Sequence, residues 1–140
     1  MEDFSETFFD ELIDVKDLKK KRKNIEPILK DVRKFFSENK IVLYGGTAIN
    51  LHLPKNLRFY NNAIDIPDYD GYSVNAKPTA LDLFHKLVKR KYQFLLVKHA
   101  LHEGTYKLSW EFKDIADITQ INKNTYDFIL RTSKRVNGLY

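Results

Sequence analysis

The chain contains no cysteine. That excludes disulfides, thiolate metal sites and cysteine nucleophiles, and it fits a reducing compartment. No apolar run approaches the roughly 20 residues that a membrane-spanning helix requires. The opening residues Met1-Glu2-Asp3-Phe4 are acidic, whereas a secretory signal begins with positive charge. A soluble, intracellular protein is therefore expected. Glycine is scarce, with five in 140 residues, so the one adjacent pair, Gly45-Gly46, stands out as a place where the backbone turns sharply.

What is present is enough for one packed domain. Hydrophobic residues make up 43% of the chain, and a chain of this length buries about two-thirds of its unfolded surface without staples. The formal charge is +5, unevenly placed: acids crowd Glu2 to Asp17, and Lys19-Lys20-Lys21-Arg22-Lys23 is a solid basic block. A basic balance favours polyanionic partners such as nucleic acid, although such a block also serves as a solvated helix face or an import-like signal.

Apolar spacing divides the chain into elements. Phe4, Phe8, Leu12 and Val15 mark an amphipathic N-terminal helix, with Ser5 as its cap, that packs on its own domain or docks a protein partner or a second copy. A second helix is predicted from about Glu26 to Glu38, with Pro27 in its first turn and Asn39 as its stop. Ile41 to Leu43 reads as a strand, Thr47 to Leu53 as a short helix, and Leu57 to Pro67 as a loop. Pro78 to Lys91 reads as a helix with Leu81, Phe84, Leu87 and Val88 inward. Three strands follow: Gln93 to Val97, Thr105 to Phe112 with Tyr106, Leu108, Trp110 and Phe112 packed inward, and Ile115 to Ile121. Glu103-Gly104 is the turn between the first two, and Asn124 to Leu130 is a last helix. This order predicts an α+β (α/β) fold, a mixed sheet with helices mainly on one face and the other face open.

The open face is where chemistry is expected. A strand that ends at Gly45-Gly46-Thr47 and turns into a helix aims backbone N–H groups at an anion. Asp68 and Asp70 are two residues apart, so on an extended strand both carboxylates leave the same face. Two carboxylates about 4 Å apart repel by roughly 4 kcal/mol at an effective dielectric near 20, so a site that keeps both ionised supplies a cation. Oxygen donors select Mg²⁺ or Mn²⁺. Two-metal phosphoryl transfer calls for a third carboxylate, and Asp117, centred in the apolar strand Ile115-Ala116-Asp117-Ile118-Thr119, is the candidate. Asp114 is placed at the turn before that strand, and alternation puts it on the face opposite Asp117. Taken singly, Gly-Gly is usually a plain turn and Asp-x-Asp a solvated strand end; their order and the downstream acid carry the inference. His99 and His102 beside Glu103 lack the further partners a zinc site needs.

Leu43 to Asn50, Phe59-Tyr60-Asn61, Ile66 to Ser73, Glu103 to Tyr106 and Ile115 to Thr119 together resemble the catalytic subunit of poly(A) polymerases from large cytoplasmic DNA viruses. The resemblance covers about Arg22 to Tyr140. It implies a polymerase-beta-like nucleotidyltransferase fold, two Mg²⁺ or Mn²⁺ ions, ATP as substrate, an RNA 3′ end as acceptor, and a location in the cytoplasmic viral factory or the virion. On it, Gly45, Gly46 and Thr47 hold the triphosphate, Asp68 and Asp70 bind both metals, and Asp117 binds the ion that lowers the pKa of the attacking 3′-hydroxyl.

Residues 1–20 then form the amphipathic helix and basic segment, and 21–140 the catalytic domain without the domain that follows it in the family. Gly71 stands where the family carries a bulky apolar residue, which predicts looser packing behind the metal site. Two other readings fit the residues: a minimal nucleotidyltransferase acting on a protein or a transfer RNA, and a truncated non-catalytic subunit or interaction module.

Overall fold

Apolar residues at helical spacing, Ile25, Ile28, Leu29, Val32, Phe35 and Phe36, are all buried, and they lie on one side of the helix α1 at 24–38. The computed structural model from which this is read describes residues 24–57, 68–136 and 138–140. The expected N-terminal helix and basic block, and most of the 57–67 loop, lie outside the described residues. At the end of α1 the Asn39 side-chain amide donates to the Phe35 carbonyl, and Lys40 takes a left-handed conformation (φ 51°). This stops the helix where the sequence predicts and turns the chain into β1, Val42–Tyr44.

The helix α2, Gly45–His52, follows β1 directly, and β2 is Tyr69–Ser73. After α3, Ala76–Lys89, come β3, Leu95–His99, β4, Thr105–Trp110, and β5, Lys113–Gln120. The helix α4, Lys123–Thr132, is capped by the Asn122 side chain, which accepts from the Thr125 N–H. The strands form one five-stranded sheet in the order β1-β2-β5-β4-β3. β2 and β5 run parallel, and the other pairs are antiparallel. The mixed sheet is therefore as predicted.

The core lies between α1, α3 and one face of this sheet: Tyr69, Leu108, Ile115, Ala116 and Ile118 from the strands meet Val32, Phe36, Ala80, Leu83 and Leu87 from the helices. The α3 stripe differs from expectation. Ala76, Ala80, Leu83 and Leu87 are buried, and Val88 is 48% exposed. Two alanines on the buried line let the helix approach the sheet, which turns the larger residues Leu81 and Phe84 toward the rim. The Gln120 side chain ties this helix to β5 by accepting from the Ala76 N–H and donating to the Val74 carbonyl.

Three further expectations change. Phe112 does not pack inward: β4 ends at Trp110, and Glu111 and Phe112 form a two-residue turn with φ of 48° and 66° that leaves Phe112 91% exposed. A two-residue turn with both central φ positive matches strand twist, but here no glycine announces it. Asp114 consequently lies within β5. Nor is packing loose behind Gly71. A Cβ there would stand 2.3 Å from Ile41 Cγ2 and 2.7 Å from Phe36 Cε2, because those side chains already fill the space.

Candidate active site

Cross-strand register assembles the site. Tyr44 faces Asp70, Asp70 faces Asp117, Asp117 faces Lys107, and Lys107 faces Lys98, so these five residues form one row across the sheet from β1 to β3. The neighbours Leu43, Tyr69, Ala116, Ile118, Tyr106, Leu108 and Val97 belong to or pack against the core, which leaves this row on the open face. Asp68 precedes β2 and joins the row: one carboxylate oxygen from each of Asp68, Asp70 and Asp117 lies within 4.8 Å of the others. The three acids picked out from the sequence are thus brought together, and among the described residues they form the only such group.

Their electrostatics mark an incomplete site. Burial pushes the Asp70 carboxyl up to about 7, helped by the neighbouring charges of Asp68 and Asp117. Burial also raises Asp117, although Lys107 opposes the shift. Asp117 Oδ1 is buried and has no hydrogen-bond partner, an orphaned acceptor that a native fold rarely leaves without a ligand. A compact all-oxygen donor set with an unsatisfied buried oxygen fits a hard divalent cation.

The glycine turn stands beside this triad. Gly45 has φ +78°, and a Cβ on it would come within 2.7 Å of Asp70 Oδ2, so both conformation and contact require glycine. Gly46 and Thr47 continue the first turn of α2, where N–H groups lack intrahelical partners. The Thr47 hydroxyl is otherwise engaged: buried, it donates a 2.7 Å hydrogen bond to the Asp68 carbonyl. Thr47 therefore offers an anion its backbone N–H and uses its side chain to fix Asp68.

Several residues were missed in the sequence. Lys107 Nζ lies 3.3 Å from Asp114 Oδ2 and 3.8 Å from Asp117 Oδ2. Burial disfavours its charge, but Asp117 and Asp114 outweigh burial and raise its pKa. Asp114 reaches this face through a bulge. Leu108 pairs with Ala116 and Ser109 with Asp114, so Ile115 is an extra residue in β5 and alternation resets. The Tyr44 ring stacks on Tyr72 at 4.2 Å, and its hydroxyl shares a 2.8 Å hydrogen bond with Thr119, which shares one of 2.9 Å with Thr105. A usable signal existed for Lys107 and Thr119. Tyr106 and Leu108 inward imply Thr105 and Lys107 outward, and Thr119 is two residues beyond Asp117.

A cavity of ≈ 510 Å³ opens at Asp117, lined mainly from β3, β4 and the turn between them, with Tyr44 of β1 on its other wall. Another of ≈ 630 Å³ lies along α1 and Arg90, but its acids are committed, Asp31 to Arg90 and Tyr92, Glu38 to Lys34 and Lys86.

A family model described as the poly(A) polymerase catalytic subunit matches residues 30–140. The chain belongs to that family. A protein of African swine fever virus (isolate Pig/Kenya/KEN-50/1950), described as a poly(A) polymerase catalytic subunit, is 33% identical over 107 residues, which is 75% of this chain and 22% of that protein. A counterpart in Acanthamoeba polyphaga mimivirus is 31% identical over 96 residues, 66% of this chain and 16% of its own length. The chain thus spans about a fifth of the length of the viral relatives it matches. The crystal structure of the Megavirus polyadenylate synthase superposes with a TM-score of 0.84 at 21% identity, covering 95% of this chain and 27% of that one, which establishes the fold. The α+β (α/β) fold expected from the sequence, a mixed sheet with helices packed on it, is therefore what the chain adopts.

Proposed function

We propose that this chain carries the catalytic centre of a nucleotidyltransferase that adds AMP from ATP to an RNA 3′ end. The observation that carries the proposal is the triad: three carboxylates within 4.8 Å on an open sheet face, one with a buried, unpartnered oxygen, beside a glycine turn. Asp68, Asp70 and Asp117 would hold Mg²⁺ or Mn²⁺, which supplies charge neutralisation on the transferred phosphoryl group and lowers the pKa of the acceptor hydroxyl.

The chain's own groups divide the remaining work. The backbone N–H groups of Gly45, Gly46 and Thr47 at the start of α2 bind phosphate oxygens of the triphosphate. Thr47 holds Asp68 in register with α2, and β2–β5 pairing holds Asp70 opposite Asp117. Asp117 faces the β3–β4 cavity as well as Asp70, so it stands between the two substrates and orients the acceptor oxygen. In the reaction the 3′-hydroxyl gives up its proton to solvent, its oxygen forms a bond to the α-phosphorus, the bond to the bridging oxygen breaks, and pyrophosphate leaves with that electron pair. Positioning and electrostatics suffice, and no covalent enzyme intermediate is required.

Thermal stabilisation tests the reading. ATP with Mn²⁺ should raise the melting temperature in proportion to the logarithm of ligand concentration, and Asp68→Ala/Asp70→Ala should abolish the shift. Absence of any shift at saturating ATP and Mn²⁺ would refute a working donor site. Extension of an oligoadenylate primer, absent in the same double variant, tests the transfer itself.

A further inference from the structure

Lys98 and Lys107 lie directly opposite one another on β3 and β4, in the row that leads away from Asp117. Like charges directly across an antiparallel pair are destabilising. Lys107 is partly compensated by Asp114 and Asp117, but Lys98 has no carboxylate partner among the described residues. Both lysines line the ≈ 510 Å³ cavity, together with Tyr44, Thr105 and His102, and its one carboxylate is Asp117. An unfavourable lysine pair in a cavity that opens on a carboxylate of the triad is what an anion seat requires in the absence of its anion.

Position along the sheet says which anion. The glycine turn lies at the β1–β2 end of the row, with Gly45 against Asp70, so the triphosphate belongs on that flank. The lysines lie on the opposite flank, beyond Asp117. Neighbouring strands are about 4.8 Å apart, so Lys107 and Lys98 stand roughly one and two strand spacings from Asp117. An acceptor whose terminal 3′-hydroxyl is at Asp117 has its last phosphodiester one sugar away, within that span.

We propose that Lys98 and Lys107, with His102 at the cavity rim, form the seat for the terminal phosphodiester of the acceptor polynucleotide. This rests on the nucleotidyltransferase reading and adds where the acceptor enters. The donor and acceptor occupy opposite ends of one cross-strand row, and the aspartate triad lies between them.

The test uses the 140-residue chain, Mn²⁺ and a 5′-fluorescein-labelled oligoadenylate, with binding read by anisotropy across a salt series. Lys98 is exposed on an edge strand, so Lys98→Ala and Lys98→Glu should melt as the unaltered chain does. Lys98→Glu should weaken oligoadenylate binding about tenfold, and Lys98→Ala should reduce the slope of log affinity against log salt by about 0.7, the value of one lost single-strand phosphate contact. The Mn²⁺-ATP thermal shift should persist in both variants. An oligoadenylate ending in 8-azidoadenosine should crosslink within residues 98–107. Unchanged affinity and slope in Lys98→Glu, crosslinks confined to 19–34, or no binding by the unaltered chain at low salt would each overturn the acceptor seat. Loss of the Mn²⁺-ATP shift in the unaltered chain would instead refute the donor site.

Discussion

The Thr47 side chain donates a 2.7 Å hydrogen bond to the main-chain carbonyl of Asp68, so the first turn of α2 and the first carboxylate of the triad are fixed to each other. A change at Thr47 should therefore reach the triad without touching a carboxylate. Thr47→Val keeps shape and volume but leaves the Asp68 carbonyl without its donor, which costs about 1 kcal/mol of stability. It should also weaken Mn²⁺ binding several-fold, whereas Thr47→Ser should retain both. Calorimetric Mn²⁺ titration with melting curves of the two variants separates these outcomes. Equal Mn²⁺ affinity in Thr47→Val and the unaltered chain would remove the positioning role.

Gly71 tests packing behind the triad. With Ile41 Cγ2 at 2.3 Å and Phe36 Cε2 at 2.7 Å from a Cβ, Gly71→Ala should destabilise by about 2 kcal/mol and Gly71→Val by more. Phe36→Leu combined with Gly71→Ala should recover part of the loss, because the second change removes the ring edge that the new methyl meets. Denaturant melts of the four proteins measure the coupling. Simple additivity would show that the ring edge is not what the methyl meets.

The triad predicts an unusual pH dependence. The Asp70 carboxyl sits at about 7 in the folded chain against 3.8 for the free group, so between these values the native state holds more protons than the unfolded state. Stability of the metal-free chain should therefore fall as pH rises through that window, the reverse of a salt-bridged aspartate. Asp70→Asn should flatten the fall and stabilise the metal-free protein at neutral pH by about 1–2 kcal/mol. That is below the roughly 1.4 kcal/mol per pKa unit of a fully buried group, because water still screens the partly exposed site. The same variant should lose Mn²⁺-dependent stabilisation by ATP, so the carboxylate opposes stability while serving the site. Mn²⁺ affinity of the unaltered chain should rise across the same window, since the cation binds the ionised form. Melting curves from pH 4 to 8, with and without Mn²⁺, check both signs.

Much of this site could be read from periodicity. Asp68 and Asp70 fall on one face because strand side chains alternate, and Asp117 was conspicuous as an acid inside an apolar strand. The mixed sheet followed from the order of elements. What alternation could not give were its interruptions. The bulge at Ile115 moved Asp114 to the face of Asp117, and the Glu111–Phe112 turn exposed a phenylalanine that a simple strand pattern buries. Neither carries a glycine or proline signal, since both are set by the register in which β4 and β5 pair. The stripe on α3 was misjudged for a related reason. Alanine gives a weak hydrophobic signal, yet its small size is what permits close approach of Ala76 and Ala80 to the sheet.

The bulge has a consequence of its own, because it places Asp114 where it competes with Asp117 for Lys107. With Asp114 at 3.3 Å and Asp117 at 3.8 Å, Lys107 is held mainly by the residue outside the triad. Asp114→Asn removes the closer charge and leaves Lys107 to pair with Asp117 alone, where it opposes a divalent cation. Mn²⁺ affinity should fall several-fold, although Asp114 is not among the three clustered carboxylates. Lys107→Met should act in the opposite sense and tighten Mn²⁺, since it removes a positive charge from the triad's edge. In the double variant the Asp114→Asn penalty should disappear, because the lysine through which it acts is gone. Mn²⁺ titrations of the four proteins at fixed ionic strength read this cycle. A penalty that survives in the Lys107→Met background would show that Asp114 acts on the cation directly.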